Sequence, residues 1–483
     1  MKNRHHNALI NVILCITLLA SLLIPREPVY AAKSGRADSE EELMENALAR
    51  MDLPIQTNEI EGWPAGPAIS AEAAVLMEID TGAILYAKNM DEELYPASIT
   101  KLMTCLLAAE HGDMTDRVEF SYEAVHSIPA DASSMGMDVG ESLTLEECLY
   151  GIMVGSANEV ANAVAEYTAG SIDAFVDMMN ERAVSLGCEH THFVTTNGLH
   201  DEDHYTCARD MALIAREFFS NEMLSRIANT TRYHFEPSET QPDDIYLNNH
   251  HKLINGEIPY EGIRGGKTGY TGDARRTLVT CAEQQGMSLV CVVMMEENPE
   301  QFNDTVTLFN YGYSNFSLVP VSENETRYTP GESGFFKTGS DVFGDSTPFL
   351  KISEDSRIVK PVGIDFEDLD TEVDYDAGPG RIARITYSLG GMELGSAYVE
   401  SVMDAGTDYE FERVPAEDIG DPGGIAIERQ DKTVFLNVRV IVTIIIIVAV
   451  TLCLVIVVVR SLKNYHFNRR RSTRKGRRRH YYR

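Results

Sequence analysis

An apolar run near the C-terminal end places the strongest constraint on what this chain can fold into. The twenty residues Val440–Val459 carry no charged side chain. A helix of that length is about 30 Å long at ~1.5 Å per residue, which matches the hydrocarbon core of a bilayer. The sequence therefore predicts a transmembrane helix over residues 438–459. A stalk over residues 413–437, which contains Pro415, Pro422 and paired glycines, precedes it.

The charges on either side of this run predict its orientation. Residues 460–483 carry 11 Lys and Arg and no Asp or Glu, so we expect this basic tail to be cytoplasmic. Residues 1–459 carry 74 acidic and 30 basic side chains, and this body is then extracellular, on the cell-wall side of the membrane. Such an acidic body predicts no nucleic-acid partner, because phosphate binding needs a basic face. A nucleic-acid role for the tail is an alternative, but stop-transfer flanks have the same composition.

The N-terminal residues have the order of charges and apolar side chains that is typical of a secretory signal. Lys2 and Arg4 precede the apolar run Val12–Ile24, and small residues follow near Ala31. We therefore predict a signal peptide over residues 1–31, cut after Ala31. The alternative is a retained anchor, but thirteen apolar residues are short for a membrane span.

Two of the eight cysteines, Cys15 and Cys453, lie in these apolar segments. The other six include no C-x-x-C pair: Cys105, Cys148, Cys188, Cys207, Cys281 and Cys291. An extracellular body of this size can build a real core, so the sequence favours buried free thiols over a disulfide framework.

The body itself divides by composition. Residues 32–68 are polar and acidic and are interpreted as a lead-in arm. The next part, residues 69–316, mixes strand and helix patterns and is predicted to be one domain. Its predicted strands pair as two hairpins, Ala73–Ile79 with Ala83–Lys88 and Thr277–Ala282 with Ser288–Met294. Its predicted helices are Ser98–Glu110, Leu145–Tyr167, Ser171–Leu186, Ala208–Phe219 with Thr206 as N-cap, and one around Thr305–Phe309.

Residues 317–412 show short strand patterns separated by Gly, Pro and Asp. The clearest is a hairpin of Arg381–Tyr387 with Glu393–Val399 around Leu389-Gly390-Gly391. We predict a small all-β domain here, and no internal repeat is visible. The fold class is therefore α+β, followed by the transmembrane helix.

The first chemical motif is Ser98-Ile99-Thr100-Lys101, a pattern S-x-x-K. The i, i+3 spacing on a helix brings a serine and a lysine to one face. A lysine there can accept the serine proton if burial and a second cation lower its pKa. Alone the motif is weak, because Ser472-Thr473-Arg474-Lys475 in the basic tail matches it too.

Two further motifs follow in the chain. Ser156-Ala157-Asn158 offers a hydroxyl that can relay protons and an amide that can hold a substrate carbonyl. Lys267-Thr268-Gly269, followed by Tyr270, precedes a predicted strand and can bind a carboxylate at a sheet edge. Each motif has a second match elsewhere in the chain. Ser322-Glu323-Asn324 matches S-x-N, and Lys337-Thr338-Gly339 matches K-T-G.

Order and context make the combination specific. S-x-x-K after a hairpin, then S-x-N, then K-T-G before a strand is the combination of penicillin-binding proteins and class A β-lactamases. Flanking residues agree: Asn89, Pro96-Ala97, Thr195-Thr196-Asn197-Gly198-Leu199-His200 and Tyr311-Gly312-Tyr313. The chain resembles a serine-type D-alanyl-D-alanine carboxypeptidase, a low-molecular-mass penicillin-binding protein. The resemblance is strong over about residues 70–315 and looser over 317–412.

The resemblance implies a fold and a mechanism. The fold is a β-lactamase/transpeptidase-like domain, an antiparallel sheet flanked by helices, with a β-rich second domain. Ser98 attacks the penultimate D-Ala carbonyl of a peptidoglycan stem pentapeptide, with Lys101 as base, and β-lactams acylate the same serine. Ser156 and Lys267 carry the proton to the departing D-Ala, and Asn158 binds the peptide. Thr268 helps to hold the terminal carboxylate. The backbone N–H groups of Ser98 and Tyr270 form the oxyanion hole, and Gly269 lies beside it among the substrate-binding residues. The resemblance implies no cofactor or metal.

The sequence departs from this family at the carboxylate partner. The family often has an arginine just before an aromatic residue where this chain has Gln301-Phe302. Arg275 and Arg276, where relatives often carry Ala-Gly, can substitute for it. Many relatives also anchor through an amphipathic C-terminal helix, whereas Val440–Val459 reads as a full span.

Three alternative functions stay open at this point. A β-lactamase needs a deacylating glutamate in E-x-x-L-N, and the nearest match is Asp244-Ile245-Tyr246-Leu247-Asn248. A transpeptidase or endopeptidase uses the same residues, and a catalytically idle wall-binding anchor needs none of them.

His200 and His204 flank acidic residues and can suggest a metal site. No third ligand follows at a suitable spacing, so the sequence favours a solvated loop.

Overall fold

The computed structural model describes residues 40–327, 350–377 and 381–401. All described residues belong to one compact unit. The predicted signal peptide, stalk, transmembrane helix and basic tail lie outside the described residues, so these assignments stay predictions. Within the described ranges, no helix is both long and apolar enough to cross a bilayer.

The helices are α1 Glu40–Met51, α2 Lys101–His111, α3 Tyr122–His126, α4 Leu145–Val154, α5 Asn158–Ala169, α6 Ile172–Ser185, α7 Ala208–Ser220, α8 Glu222–Ala228, α9 Glu300–Asn315 and α10 Val321–Asn324. The strands are β1 Ala73–Glu78, β2 Ile84–Lys88, β3 Arg117–Glu119, β4 Ser142–Thr144, β5 Arg232–Phe235, β6 Ile245–Asn248, β7 Ile263–Thr271, β8 Arg275–Gln284, β9 Met287–Glu296, β10 Phe316–Pro320, β11 Leu350–Ile352, β12 Arg357–Pro361, β13 Asp370–Asp374, β14 Arg381–Leu389 and β15 Met392–Ser401.

A five-stranded antiparallel sheet in the order β2–β1–β9–β8–β7 forms the centre of the first domain. Every residue of β1 is buried, and alternate side chains enter two different cores. Val75 and Met77 belong to a core with residues of α2, α4, α5 and α7, whereas Ala74 and Leu76 belong to a core with residues of α9, β12, β14 and β15. A strand buried on both faces has a continuous apolar sequence, which is why both hairpins were predictable; both predictions are confirmed.

Side-chain caps begin the helices on one face of this sheet. Thr144 and Glu147 form a reciprocal capping box at α4, and Ser171, predicted as the first residue of α6, is its N-cap. The predicted cap of α7 is wrong by one residue. Cys207 is the N-cap, with its Sγ accepting from the Asp210 amide at 3.4 Å, because the Thr206 hydroxyl is bonded to Thr191.

The last helix of the first domain is longer than its sequence pattern predicts. The pattern around Thr305–Phe309 belongs to α9, which continues through Tyr311 and Tyr313. Gly312 permits this, since a Cβ there would lie 2.7 Å from the Leu76 and Leu289 side chains of the sheet. Gly312 therefore does not end the helix, and its lack of a side chain lets α9 approach the sheet closely.

A second antiparallel sheet follows directly. Its order is β10–β12–β15–β14–β13, and β11 pairs with β15. The predicted hairpin of β14 and β15 is confirmed, with Gly390 and Gly391 at positive φ in the turn. The described part of this region is mostly strand, as predicted, but it also contains the short helix α10 and a 3-10 turn at Phe366–Asp368. The predicted domain boundary at residue 412 lies outside the described residues.

Two features of the first domain go beyond the sequence interpretation. The residues interpreted as an arm contain α1, and the last turn of this helix buries Arg50 against the domain. The six cysteines of the domain are all free thiols; Cys188 is partly exposed and the others are buried. This agrees with the preference for thiols over disulfides.

Candidate active site

The predicted nucleophile, Ser98, lies in a single 3-10 turn, Ala97–Thr100, that leads directly into α2. Ala97 has a φ of +52°, the left-handed region that non-glycine residues rarely adopt, so the backbone bends sharply before Ser98. Lys101 is the first residue of α2, and its Nζ lies 2.9 Å from Ser98 Oγ. The i, i+3 spacing brings the two side chains together, through a 3-10 turn and not the expected α-helical one.

Lys101 is completely buried and has three oxygen neighbours. Besides Ser98 Oγ, its Nζ donates to Asn158 Oδ1 at 2.7 Å and to the Asn197 carbonyl oxygen at 2.6 Å. Burial lowers the pKa of Lys101 well below 10.5, and the nearby charge of Lys267 lowers it further. As a neutral amine, Lys101 keeps both carbonyl acceptors on its two N–H groups and directs its lone pair at the Ser98 hydroxyl. This is the arrangement of a general base.

Ser156 lies in the three-residue break between α4 and α5, which divides the predicted helical stretch into two helices. Its φ of +57° is again left-handed. Lys267, on β7, donates from Nζ to Ser156 Oγ at 3.0 Å and to the Thr268 carbonyl oxygen at 2.9 Å. Burial lowers the pKa of Lys267 to about 8. The S-x-N and K-T-G motifs therefore meet through these two side chains.

Strand β7 lies at the edge of the central sheet and passes directly against the nucleophile turn. A Cβ on Gly269 would lie 2.9 Å from the Ser98 amide nitrogen, so only glycine allows this approach. On the neighbouring strand, Thr277 Oγ1 donates to the Pro96 carbonyl oxygen at 2.8 Å. An open strand edge beside a nucleophile can bind an extended peptide by adding it as a further strand.

Asn158 is occupied at both ends of its amide. Its Oδ1 accepts from Lys101, and its Nδ2 donates to the Ser133 carbonyl oxygen at 2.9 Å. Only 3% of the residue is exposed. The structure thus gives Asn158 a role in holding Lys101, in addition to the peptide binding that the resemblance implies.

These residues line one cleft of about 490 Å³. Its walls include the predicted site residues Ser98, Ser156, Asn158, Thr268, Gly269 and Tyr270. Lys101 and Lys267 lie beneath them, buried. The lining also includes Lys252, Gln301 and Phe302, and Arg276, one of the two candidate carboxylate partners.

The two candidate replacement arginines have different environments. Arg275 donates from Nε and Nη2 to the two oxygens of Glu297, at 3.0 and 2.7 Å. Arg276 lines the cleft and stacks on Tyr270, with its Cζ 4.1 Å from the ring centroid. Among the described residues, the Arg276 guanidinium has no hydrogen bond or ion pair. Gln301 is buried beside it, and its Oε1 has no hydrogen-bond partner there. Arg276 is therefore available to an anion in the cleft, while Arg275 is engaged.

Sequence reasoning missed two supports of the nucleophile. Asn197 provides the carbonyl for Lys101, and Gly198 fits against the turn, since a Cβ there would lie 1.9 Å from the Ala97 carbonyl oxygen. His204 is buried, unlike the expected solvated loop. Its Nδ1 accepts from the Val194 and Thr195 amides, so its Nε2 donates to Thr100 Oγ1 at 2.9 Å. The only sequence signal for these contacts was the resemblance of Thr195–His200 to the corresponding segment of the carboxypeptidase family.

The histidine pair shows no metal arrangement. His200 lies at the surface, 3.6 Å from Asp273, while His204 faces the nucleophile turn. Within the described ranges, no group of three or more His, Cys, Asp or Glu side chains is placed to hold an ion. Burial lowers the pKa of His204 to about 4, so it is neutral near pH 7.

The other segments that match these motifs lie away from the cleft or outside the described residues. Ser322-Glu323-Asn324 belongs to α10, at the start of the second domain. Asp244, the counterpart of a deacylating glutamate, pairs with His234 at 2.6 Å beside the outer β5–β6 hairpin and does not line the cleft. Lys337 and Ser472 lie outside the described residues.

The chain is similar in sequence to known D-alanyl-D-alanine carboxypeptidases. The profile of the D-alanyl-D-alanine carboxypeptidase family matches residues 61–298. The D-alanyl-D-alanine carboxypeptidase DacF of Bacillus subtilis is 34% identical over 312 residues, which cover 63% of this chain and 76% of DacF. This chain belongs to the D-alanyl-D-alanine carboxypeptidase family. The activity predicted from the sequence, a serine-type D,D-carboxypeptidase, is thereby confirmed.

Other members of the carboxypeptidase family extend the likeness beyond the matched residues. DacA of Haemophilus influenzae is 28% identical over 353 residues, covering 70% of this chain and 86% of DacA. The crystal structure of penicillin binding protein 5 from Haemophilus influenzae superimposes with a TM-score of 0.57 at 26% identity, covering 71% of this chain and 99% of that one. Penicillin binding protein 6B from Escherichia coli, at 23% identity and a TM-score of 0.53, has the same fold. The predicted transpeptidase-like fold of sheet and helices is confirmed.

Proposed function

We propose that this carboxypeptidase removes the terminal D-alanine of peptidoglycan stem pentapeptides through an acyl-enzyme on Ser98. One observation carries the proposal: two buried lysines each contact a serine of the same cleft. Lys101 Nζ lies 2.9 Å from Ser98 Oγ, and Lys267 Nζ lies 3.0 Å from Ser156 Oγ. One pair can remove a proton from the nucleophile, and the other can deliver one to a leaving group.

Acylation begins with proton transfer from Ser98 Oγ to neutral Lys101. The freed oxygen attacks the carbonyl carbon of the penultimate D-Ala, and the amides of Ser98 and Tyr270 donate to the oxyanion that forms. The proton then passes through Ser156 to the amine of the departing D-Ala, with Lys267 holding the Ser156 hydroxyl. Water hydrolyses the ester and frees Ser98. In a β-lactam, the same attack opens the ring, whose amine stays attached to the acyl group.

We propose that Arg276 holds the terminal carboxylate in place of the arginine that many relatives carry at the position of Gln301. Its guanidinium lies in the cleft and is bonded to no described residue, whereas Arg275 is bound to Glu297. Thr268 and Lys267 lie on the adjacent strand edge and add further donors. An arginine suits this role because its planar donors match both carboxylate oxygens.

Localisation is a separate proposal. A cleaved signal peptide, a single C-terminal span over residues 438–459 and a cytoplasmic tail put the catalytic domain on the cell-wall side of the membrane. Protease added to intact cells then releases a fragment that ends within residues 413–437. If antibodies to the residues beyond Arg460 bind intact cells, this topology is wrong.

A transpeptidase or endopeptidase remains the nearest rival, since an amine can replace water at the acyl-enzyme. Incubating the full chain with a pentapeptide and a fluorescent penicillin, with and without an amine acceptor, separates the functions. We expect release of free D-alanine in the absence of acceptor and penicillin labelling that Ser98→Ala abolishes. A product that requires the acceptor supports transpeptidation, and no reaction with either substrate supports the idle anchor.

A further inference from the structure

Helix α1 precedes the residues matched by the family profile, yet its last turn is built into the catalytic domain. Arg50 is 8% exposed, and its Nε donates to the Ser70 carbonyl oxygen at 2.9 Å. The carbonyl oxygen of Arg50 accepts from the buried Lys88 Nζ at 2.7 Å. Contacts on both its main chain and its side chain hold this arginine in one position.

The guanidinium of Arg50 faces two consecutive carboxylates at the end of β9. Its Nη2 lies 3.9 Å from Glu296 Oε1 and 3.7 Å from Glu297 Oε1. Glu296 is completely buried, and Glu297 is largely so. Burial and the neighbouring Asp304 raise the pKa of Glu296 to about 9, and the charge of Arg50 opposes that rise. The guanidinium of Arg50 thus places a buried positive charge beside both carboxyl groups, and its contact with Oε1 helps to hold Glu297 in position.

Glu297 in turn accepts two parallel hydrogen bonds from Arg275. Arg275 has a φ of +53°, a backbone conformation that costs a non-glycine residue energy and needs outside support. The next residue is Arg276, whose side chain lines the cleft over Tyr270. The bidentate bond of Glu297 thus supports the strained backbone from which Arg276 extends.

We infer that Arg50 is a positioning residue for substrate recognition: through Glu297 and Arg275 it orients Arg276 toward the terminal carboxylate of the peptide. The inference rests on the role proposed above for Arg276. It also assigns α1, which lies outside the matched residues, to the support of the active site. Arg50 touches neither the nucleophile nor the cleft, so its effect falls on recognition of the carboxylate and not on acyl transfer.

The test uses the full chain in detergent and two pentapeptides, one ending in a carboxylate and one in a carboxamide. In Arg50→Ala we expect KM for the carboxylate to rise about three- to tenfold, with kcat within about twofold of wild type. We expect KM for the carboxamide to stay unchanged. Arg50→Lys restores part of the loss, because it keeps the charge but not the planar donors. Glu297→Gln has the same phenotype as Arg50→Ala and serves if Arg50→Ala does not fold.

Arg182→Ala is the matched control, because Arg182 also pairs with two carboxylates, Glu110 and Glu217, but lies away from the cleft. The double variant Arg50→Ala/Arg276→Ala separates the two proposals. If Arg276→Ala removes the preference for carboxylate and Arg50→Ala then adds nothing, the inference stands. The inference fails, and the proposed function stands, if Arg276→Ala removes the preference for carboxylate but Arg50→Ala and Glu297→Gln leave that preference intact. It fails in the same way if Arg50→Ala and Glu297→Gln slow hydrolysis of both peptides equally. If Arg276→Ala leaves the preference intact, the role of Arg276 fails and the inference falls with it.

Discussion

Lys267 and Lys101 are two buried lysines in one cleft, and the charge of the first lowers the pKa of the second. Each contacts a different serine, Lys267 at 3.0 Å from Ser156 and Lys101 at 2.9 Å from Ser98. The pair divides the chemistry. Lys101, whose pKa burial and the charge of Lys267 lower well below 10.5, acts as base, and Lys267, whose pKa is about 8, stays charged near neutral pH and holds the relay hydroxyl.

Removing the side chain of Lys267 deletes the donor to Ser156 and a nearby positive charge. We expect Lys267→Ala to reduce pentapeptide hydrolysis by about 10²–10³, the usual effect of losing one preorganised electrostatic contact. Lys337→Ala removes the lysine of the same tripeptide elsewhere in the chain and is expected to leave the rate near that of wild type. Equal effects of the two substitutions in a D-alanine release assay would contradict the motif assignment.

The same pair predicts the pH profile. Acylation needs neutral Lys101, so the rate rises with pH through the lowered pKa of that lysine. It falls again above about 8, where Lys267 loses its proton. In Lys267→Gln the like charge is gone, so the pKa of Lys101 rises and the acid limb moves to higher pH. Penicillin acylation rates measured across the pH range check this; an unmoved acid limb counts against the coupling.

Arg276 is expected to determine carboxylate recognition. Loss of a hydrogen bond to a charged group costs about 1.5–3 kcal/mol, so Arg276→Ala lowers kcat/KM for the pentapeptide by about ten- to a hundredfold. Arg264→Ala is the control, because Arg264 lies on β7 but pairs with Glu283 and does not line the cleft. Steady-state kinetics of both variants are the measurement, and a normal KM in Arg276→Ala excludes the assignment.

Gly198 tests the packing beneath the nucleophile. In Gly198→Ala the new Cβ would meet the Ala97 carbonyl oxygen at 1.9 Å, and the φ of +80° is also unfavourable for alanine. We expect a loss of at least ~2 kcal/mol in unfolding free energy, a fall in Tm of several degrees and slower acylation. Gly170→Ala has a similar φ of +83° but meets nothing within 4 Å. Calorimetry should show a loss of only about 1 kcal/mol for this control, with normal acylation.

The reactive residues were predictable from the sequence because the chemistry restricts both their type and their order. Ser98, Lys101, Ser156 and Lys267 come from four separate elements, and three short motifs located them all. Four strands of the central sheet were predictable because strands buried on both faces are continuously apolar. The fifth, β7, has no continuous apolar run and was not predicted as a strand. In both cases a local pattern carries the information.

The supports of the site were not predictable, because they depend on long-range packing. The Asn197 carbonyl that holds Lys101 is a backbone group, which any residue type supplies. The sequence around His204 predicts a polar, solvated loop. In the structure His204 is buried, and both of its ring nitrogens are hydrogen-bonded, to Val194 and Thr195 and to Thr100. Helix α1 is acidic and has exposed Met44 and Leu48, so its pattern does not show that Arg50 is buried against Glu297.

Mass spectrometry of the penicillin-labelled full chain tests the central claim most directly, namely that Ser98 is acylated with Lys101 as its base. We predict one adduct, on the peptide that contains Ser98, and its loss in Ser98→Ala. In Lys101→Ala the fold should persist but the labelling rate should fall by at least about 10², the contribution of a positioned general base. An adduct on another serine, or labelling of Ser98→Ala at the wild-type rate, would contradict the account.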